Sequence, residues 1–211
     1  LKASFRKFAD MSTKAVIYNG DDQNTHDSIR GISEGKTMIS FGTNDSCNYV
    51  AKNIDFINGA FPCYDLYING EYKEKIELSV PGEHNVLNSL AAIASAMYCG
   101  ASAEQCKNSI ISFKGAGRRF EFLGTFNGAD IVDDYAHHPA ELEVTLSAAK
   151  KMDYKRVWAV FQPFTFSRTY MLLDDFADVL AIADKVVLTE IMGSREINTY
   201  GITTQDLADE I

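Results

Sequence analysis

Positive charge is scarce in this chain: 20 Lys and Arg stand against 29 Asp and Glu over 211 residues, for a net charge of −9. A general nucleic-acid binder would show a basic face, so that class is excluded. Single Arg or Lys sites remain free to hold one nucleotide. Long apolar runs are missing as well. Nothing approaches the roughly 20 residues of a membrane span, so no membrane partner is expected. Leu1-Lys2-Ala3-Ser4-Phe5-Arg6 is amphipathic and lacks the layout of a secretory signal. Cysteine is sparse: Cys47, Cys63, Cys99 and Cys106 form no C-x-x-C pair and share no ligand spacing. A disulfide framework is therefore not expected, and the four read as reduced, mostly buried thiols of a cytoplasmic protein. An initiating Met is absent too, and Gln205 to Ile211 reads as a helix cut short, so the sequence is expected to be a fragment.

What is present is an ordinary globular composition, 46% hydrophobic and 23% charged, with room for one large or two small domains. Ala15-Val16-Ile17-Tyr18 reads as a short buried strand ending in the turn-forming Asn19-Gly20-Asp21-Asp22, with a helix or turn to about Arg30. Residues 38–80 have a short, β-like pattern, and Asn69-Gly70 between two alternating runs signals a hairpin, so a small antiparallel sheet is expected there. Pro81-Gly82-Glu83-His84 opens a helix that reaches about Cys99 and stops at Gly100. Val86, Leu90, Ile93 and Met97 share its apolar face. Ser102-Ala103-Glu104-Gln105 resembles a capping box for a further helix to about Phe113.

Two glycines within Lys114-Gly115-Ala116-Gly117 mark the best boundary, dividing the chain into 1–114 and 115–211. Beyond it, Asn127-Gly128 joins two strands of a hairpin. Helices over Pro139 to Met152 and about Tyr170 to Ala183 then alternate with strands at Val157 to Phe161 and Lys185 to Leu188. Thr203 or Thr204 is placed to cap a last helix. This alternation with short connections predicts an α/β domain with parallel strands. Ligands in such sheets bind beyond the carboxyl ends of the strands. Three polar loops leave strands at that edge: 133–139, 162–169 and 189–198.

Several constellations compete for chemistry. Gly31-Ile32-Ser33-Glu34-Gly35-Lys36-Thr37 is one residue short of a phosphate loop and precedes a strand-like run, so it reads as a solvated turn. His137-His138 suits substrate contact or entry into the helix at Pro139; adjacent side chains diverge, which disfavours a shared metal. Of Asp133 and Asp134, one at most faces a given pocket, where it suits ribose hydroxyls or simply a turn. Arg118, Arg119 and Arg168 offer planar forks matched to phosphate or carboxylate, with a solvated charge as the alternative. Asn85 and Asn88 share a helix face; capping accounts for one of them, and a paired amide contact to a flat polar ligand for both.

In this order, the stretches 81–88, 117–124, 133–139 and 161–169 resemble the muramyl ligase family, and most resemble its alanine-adding members. Asn19-Gly20-Asp21-Asp22 and Gly193-Ser194-Arg195-Glu196 also fit, and the likeness runs over essentially the whole chain. The resemblance implies the end of a central ATPase domain with a small antiparallel sheet, over 1–114. A truncated Rossmann-like, doubly wound C-terminal domain would follow over 115–211. It implies an ATP-dependent carboxylate–amine ligase of peptidoglycan synthesis, joining L-alanine to UDP-N-acetylmuramate through an acyl phosphate. ATP and Mg²⁺ are its implied cofactors, with the metal ligands and phosphate loop expected upstream and the isolated piece inactive. By the same likeness, Asn85 and Asn88 lie near adenine, Arg119 reaches the phosphates and Asp134 holds the ribose. Tyr135, His137 and Arg168 shape the amino-acid pocket, with His137 and Arg119 counted as catalytic. Phe164 departs from the family, whose alanine-adding members usually carry His there. A tripeptide-recycling sister ligase and a non-catalytic nucleotide-binding module are the alternative readings.

Overall fold

The computed structural model describes residues 1–32 and 35–211. The chain forms two compact units: Leu1–Ile57 with Phe61–Lys114, and Asn58–Ala60 with Gly115–Ile211. No helix among the described residues is long and apolar enough to cross a membrane.

The first unit is built on a five-stranded sheet in sequence order, β1 (Ala15–Asn19), β2 (Thr37–Gly42), β3 (Tyr49–Ile57), β4 (Phe61–Ile68) and β5 (Glu71–Glu77). The expected antiparallel portion is β3 to β5; β1, β2 and β3 extend it as parallel neighbours. Asn69 and Gly70 take φ of 51° and 83°, the two left-handed positions that a two-residue β4–β5 turn requires. Helix α1 (Lys2–Met11) precedes the sheet, and α2 (Gln23–Ile29) is N-capped by Asp22, which accepts from the Thr25 amide at 2.8 Å. Helix α3 (His84–Tyr98) lays Val86, Leu90 and Ile93 against Tyr64, Leu66 and Ile76 of the sheet, all essentially without solvent exposure. Gly100, at φ 102°, lets the chain leave α3: its amide and that of Ala101 return to the carbonyls of Met97 and Ala96. Both halves of the capping box at Ser102 and Gln105 are present at the start of α4 (Ala103–Ser112).

The second unit opens with the hairpin β6 (Glu121–Phe126) and β7 (Ala129–Asp133), turned by Asn127 and Gly128 at φ 48° and 80°. The Rossmann-like part runs α5 (Pro139–Lys151), β8 (Trp158–Phe161), α6 (Phe166–Met171), α7 (Leu173–Leu180), β9 (Lys185–Leu188) and α8 (Thr204–Glu210), with β8 and β9 paired in parallel. Its core gathers Leu142, Leu146, Phe161, Phe176, Leu180 and Leu207. Thr203 caps α8, with Asp206 closing the reciprocal bond. One predicted helix is different. The apolar periodicity predicts a single helix from about Tyr170, whereas α6 begins at Phe166 and breaks at Leu172, which takes φ −122° and ψ 29°. The start is hidden from sequence because the residue before it, Thr165, makes no side-chain cap.

Candidate functional site

In the second unit the polar loops converge beyond β7 and β8. The first begins at a turn with two non-glycine left-handed residues, Arg118 at φ 58° and Phe120 at φ 48°. Glu121 accepts from the Arg118 amide at 2.6 Å. Asp134 accepts from the Phe120 amide with one oxygen and from the Ala136 amide with the other, each at 2.8 Å. The Asp134 carboxylate is thus a knot between the arginine turn and the loop after β7, and each oxygen keeps a lone pair for a hydroxyl. Arg118 is itself committed: Nε donates to Asp133 at 3.0 Å, and the guanidinium lies 4.8 Å from the centroid of the Tyr135 ring. Arg119 differs from its neighbour. It is exposed and its guanidinium has no hydrogen bond or ion pair among the described residues, so its fork is open to an anion.

Tyr135, His137, Phe164 and Arg168 meet around one spot. The His137 ring stands edge-on to Tyr135 at 5.3 Å and to Phe164 at 6.4 Å. Its Nδ1–H donates to the Tyr135 carbonyl oxygen at 2.9 Å, because a carbonyl can only accept. In the neutral ring Nε2 therefore holds the lone pair. The Arg168 guanidinium sits 5.9 Å from the Phe164 ring centroid, and its only hydrogen bond among the described residues is a long 3.4 Å contact to the His137 carbonyl. A half-buried cation so loosely tied, next to the residue that carries this imidazole, suits a small ligand carrying both a carboxylate and an amine.

Two acidic residues hold this arrangement, and the sequence reading gave neither that role. Glu141 accepts from the His137 amide at 3.0 Å and lies 3.5 Å from its ring Nδ1. The His137 amide, helped by the nearby Arg119 charge, keeps the Glu141 carboxyl below the usual glutamate range. Its signal was present: Glu141 stands three residues after His138, the helix N-cap, as in a capping box. Glu196 accepts from the Ser167 amide and hydroxyl, and these two bonds hold its carboxyl low in turn. His138 faces the helix: its Nδ1 accepts from the Ala140 amide at 3.3 Å, which settles it as a cap.

The first unit carries Asn85 and Asn88. Neither is the N-cap of α3, a position held by Glu83 without a side-chain bond. Asn85 Nδ2 donates to the Pro81 carbonyl at 2.7 Å, and Asn88 Nδ2 donates to Asn85 Oδ1 at 3.0 Å. This fixes Asn85 and leaves the exposed Asn88 amide oxygen open. The phosphate-loop lookalike has another job. Ser33 and Glu34 lie outside the described residues, but Lys36 Nζ donates to the carbonyls of Ala9 and Asp10, at 3.2 and 2.8 Å, closing the C-terminus of α1. Among the described residues no group of three or more His, Cys, Asp or Glu side chains is placed to hold a metal.

The fold and these loops define an α/β protein with an anion-receptive cluster beyond the ends of its strands. Two family profiles match it: the Mur ligase middle domain over residues 1–96, and the Mur ligase, glutamate ligase domain over 118–211. The chain belongs to the Mur ligase family. It is 41% identical to the UDP-N-acetylmuramate–L-alanine ligase of Caldanaerobacter subterraneus subsp. tengcongensis, over 100% of this chain and 46% of that protein. With the ligase of the same name from Lachnospira eligens it shares 48% identity over 82% of this chain and 38% of that protein. The crystal structure of UDP-N-acetylmuramate-alanine ligase MurC from Thermotoga maritima superposes with a TM-score of 0.73 at 27% identity, covering 92% of this chain and 41% of that one. The chain thus spans about half the length, or less, of the relatives it matches.

Proposed function

We propose that this chain serves an ATP-dependent ligase that joins L-alanine to UDP-N-acetylmuramate in cytoplasmic peptidoglycan synthesis. The observation that carries this reading is the meeting of Tyr135, His137 and a loosely tied Arg168. A carboxylate is a poor electrophile, so ATP, with Mg²⁺, supplies the phosphoryl group that turns the muramate carboxylate into an acyl phosphate. Arg168 takes the alanine carboxylate in its fork. That orients the amine, and the lone pair of His137 Nε2 serves to accept its proton as it attacks the acyl carbon; the tetrahedral intermediate then breaks its bond to the phosphate oxygen and expels phosphate, leaving the amide. Arg119 reaches the phosphates, whose negative charge an unpaired guanidinium stabilises. Asp134 receives ribose hydroxyls on the lone pairs that its backbone knot leaves free. Asn85, fixed by Pro81, presents Asn88 to the adenine edge.

For Mg²⁺ the described residues offer no cluster of ligands, so no step is assigned to a metal held by them. The chain has no G-x-x-x-x-G-K-[ST] loop either.

The test is ADP release by the gene product at full genomic length, with UDP-N-acetylmuramate and either L-alanine or the recycled tripeptide as acceptor. Turnover with alanine supports the reading. Turnover with tripeptide alone moves the protein to the recycling ligases, and tight ATP binding without turnover to the nucleotide-binding modules.

A further inference from the structure

Residues 162–169 are fastened to residues 190–196 at several points. Phe164 and Met192 form an isolated parallel bridge. The Met192 amide donates to the Pro163 carbonyl and the Thr165 amide to the Met192 carbonyl, both at 2.9 Å. Gly193 passes so close to the Phe166 ring that a Cβ there would overlap it. Glu196 then takes the Ser167 amide on one carboxylate oxygen at 2.9 Å and the Ser167 hydroxyl on the other at 2.6 Å. Within this fastening Thr165 is held at φ 68° and ψ 140°, a region close to glycine-only space. Such a conformation persists only where its surroundings over-determine it.

The fastening has a specific product. Thr165 sends the chain sharply into α6, and Arg168 sits one residue beyond the clamped Ser167. Glu196 spends its two bonds on Ser167, no ion pair joins it to Arg168 among the described residues, and the guanidinium lies beside Phe164, tied only to the His137 carbonyl. We propose that Glu196 is a positioning residue for amino-acid binding: by clamping Ser167 it aims Arg168 into the pocket with Phe164 and His137 while leaving the guanidinium unpaired. This rests on the ligase reading above, and it adds a residue on a different loop that touches no substrate.

The experiment compares Glu196→Ala, Glu196→Gln and Ser167→Ala in the gene product at full genomic length, with KM for L-alanine and for ATP read separately from ADP release. Glu196→Ala is expected to raise the alanine KM about tenfold, the loss of a charge-assisted pair of bonds, with the ATP KM moving less than about twofold. Ser167→Ala keeps the amide bond and falls between. Glu196→Gln, which still offers one acceptor, restores part of the loss. Equal shifts in both KM values, or an unchanged alanine KM, overturn the proposal. Should the unsubstituted protein show no alanine-dependent ADP release, the ligase reading and the alanine assignment fail together. Amide exchange in the 211-residue chain then decides the clamp alone. Glu196→Ala should speed exchange at Ser167 and Thr169 about tenfold and spare Val160, and unchanged protection removes the clamp as well.

Discussion

Tyr64 and Ser89 show how direction decides the cost of a single atom. Ser89 Oγ donates to the Val86 carbonyl at 2.7 Å, so in its 2.7 Å bond with the fully buried Tyr64 the phenol must be the donor. Burial pushes the Tyr64 phenol up, which keeps it protonated for that role. Tyr64→Phe removes donor and bond together, whereas Ser89→Ala strands a buried hydroxyl. Ser89→Ala should therefore destabilise by about 1–3 kcal/mol and Tyr64→Phe by only about 1 kcal/mol, measured by urea unfolding. The reverse order would contradict the assigned donor. The same reasoning separates the three arginines near the proposed pocket: Arg118 is spent on Asp133 and Tyr135, while Arg119 and Arg168 are not. Arg168→Ala should raise the alanine KM about tenfold to a hundredfold and leave the ATP KM nearly unchanged. By residue type and position these arginines were equal candidates, and only the family resemblance singled out Arg119 and Arg168; the physical difference lies in partners up to 31 residues away, such as the His137 carbonyl for Arg168.

Elements whose start and stop are written locally were legible. The Asn69-Gly70 and Asn127-Gly128 hairpins, the Ser102 box, the Gly100 exit and the Thr203 cap each rest on residues within one turn of each other. Helix α6 was not, since Thr165 contributes conformation and no capping side chain, and its partner Glu196 lies 29 residues from Ser167. These loop fastenings carry a pH dependence. Glu141 and Glu196 are both held below the usual glutamate pKa by amide and hydroxyl donors. Their contribution is complete above the unfolded value of about 4.3 and disappears as pH falls through the lower folded value. Amide exchange at His137 and Ser167 should thus stay protected from neutral pH down to about 5, and open, relative to β8, only below about 4. Loss of protection near pH 6 would assign the latch to other groups.

At the scale of the molecule, the family was readable because its motifs are short and ordered along the chain, although they fall on different elements: α3, the arginine turn, and the loops after β7 and β8. The parallel extension of the first sheet was harder to see, because β1 and β2 pair across intervening segments whose residues do not announce the partner. With neither a phosphate loop nor a metal-ligand cluster among the described residues, the 211-residue chain alone should release no ADP with all substrates present; measurable release would reassign its phosphoryl chemistry. The hairpin turns bear on something other than folding. An Asn followed by Gly is the pair in which a backbone nitrogen most readily closes on the side-chain amide, leaving aspartate or isoaspartate behind. Of the four Asn-Gly pairs, Asn19 and Asn69 have their side-chain oxygens tied, to the Asp21 amide at 2.9 Å and to Asn48 at 3.0 Å, whereas Asn58 and Asn127 have no side-chain partner among the described residues. A stored preparation should therefore age first at Asn58 and Asn127, turning more acidic by one charge at each of these turns, and peptide mapping that finds Asn19 or Asn69 converted first would show that these ties offer no protection.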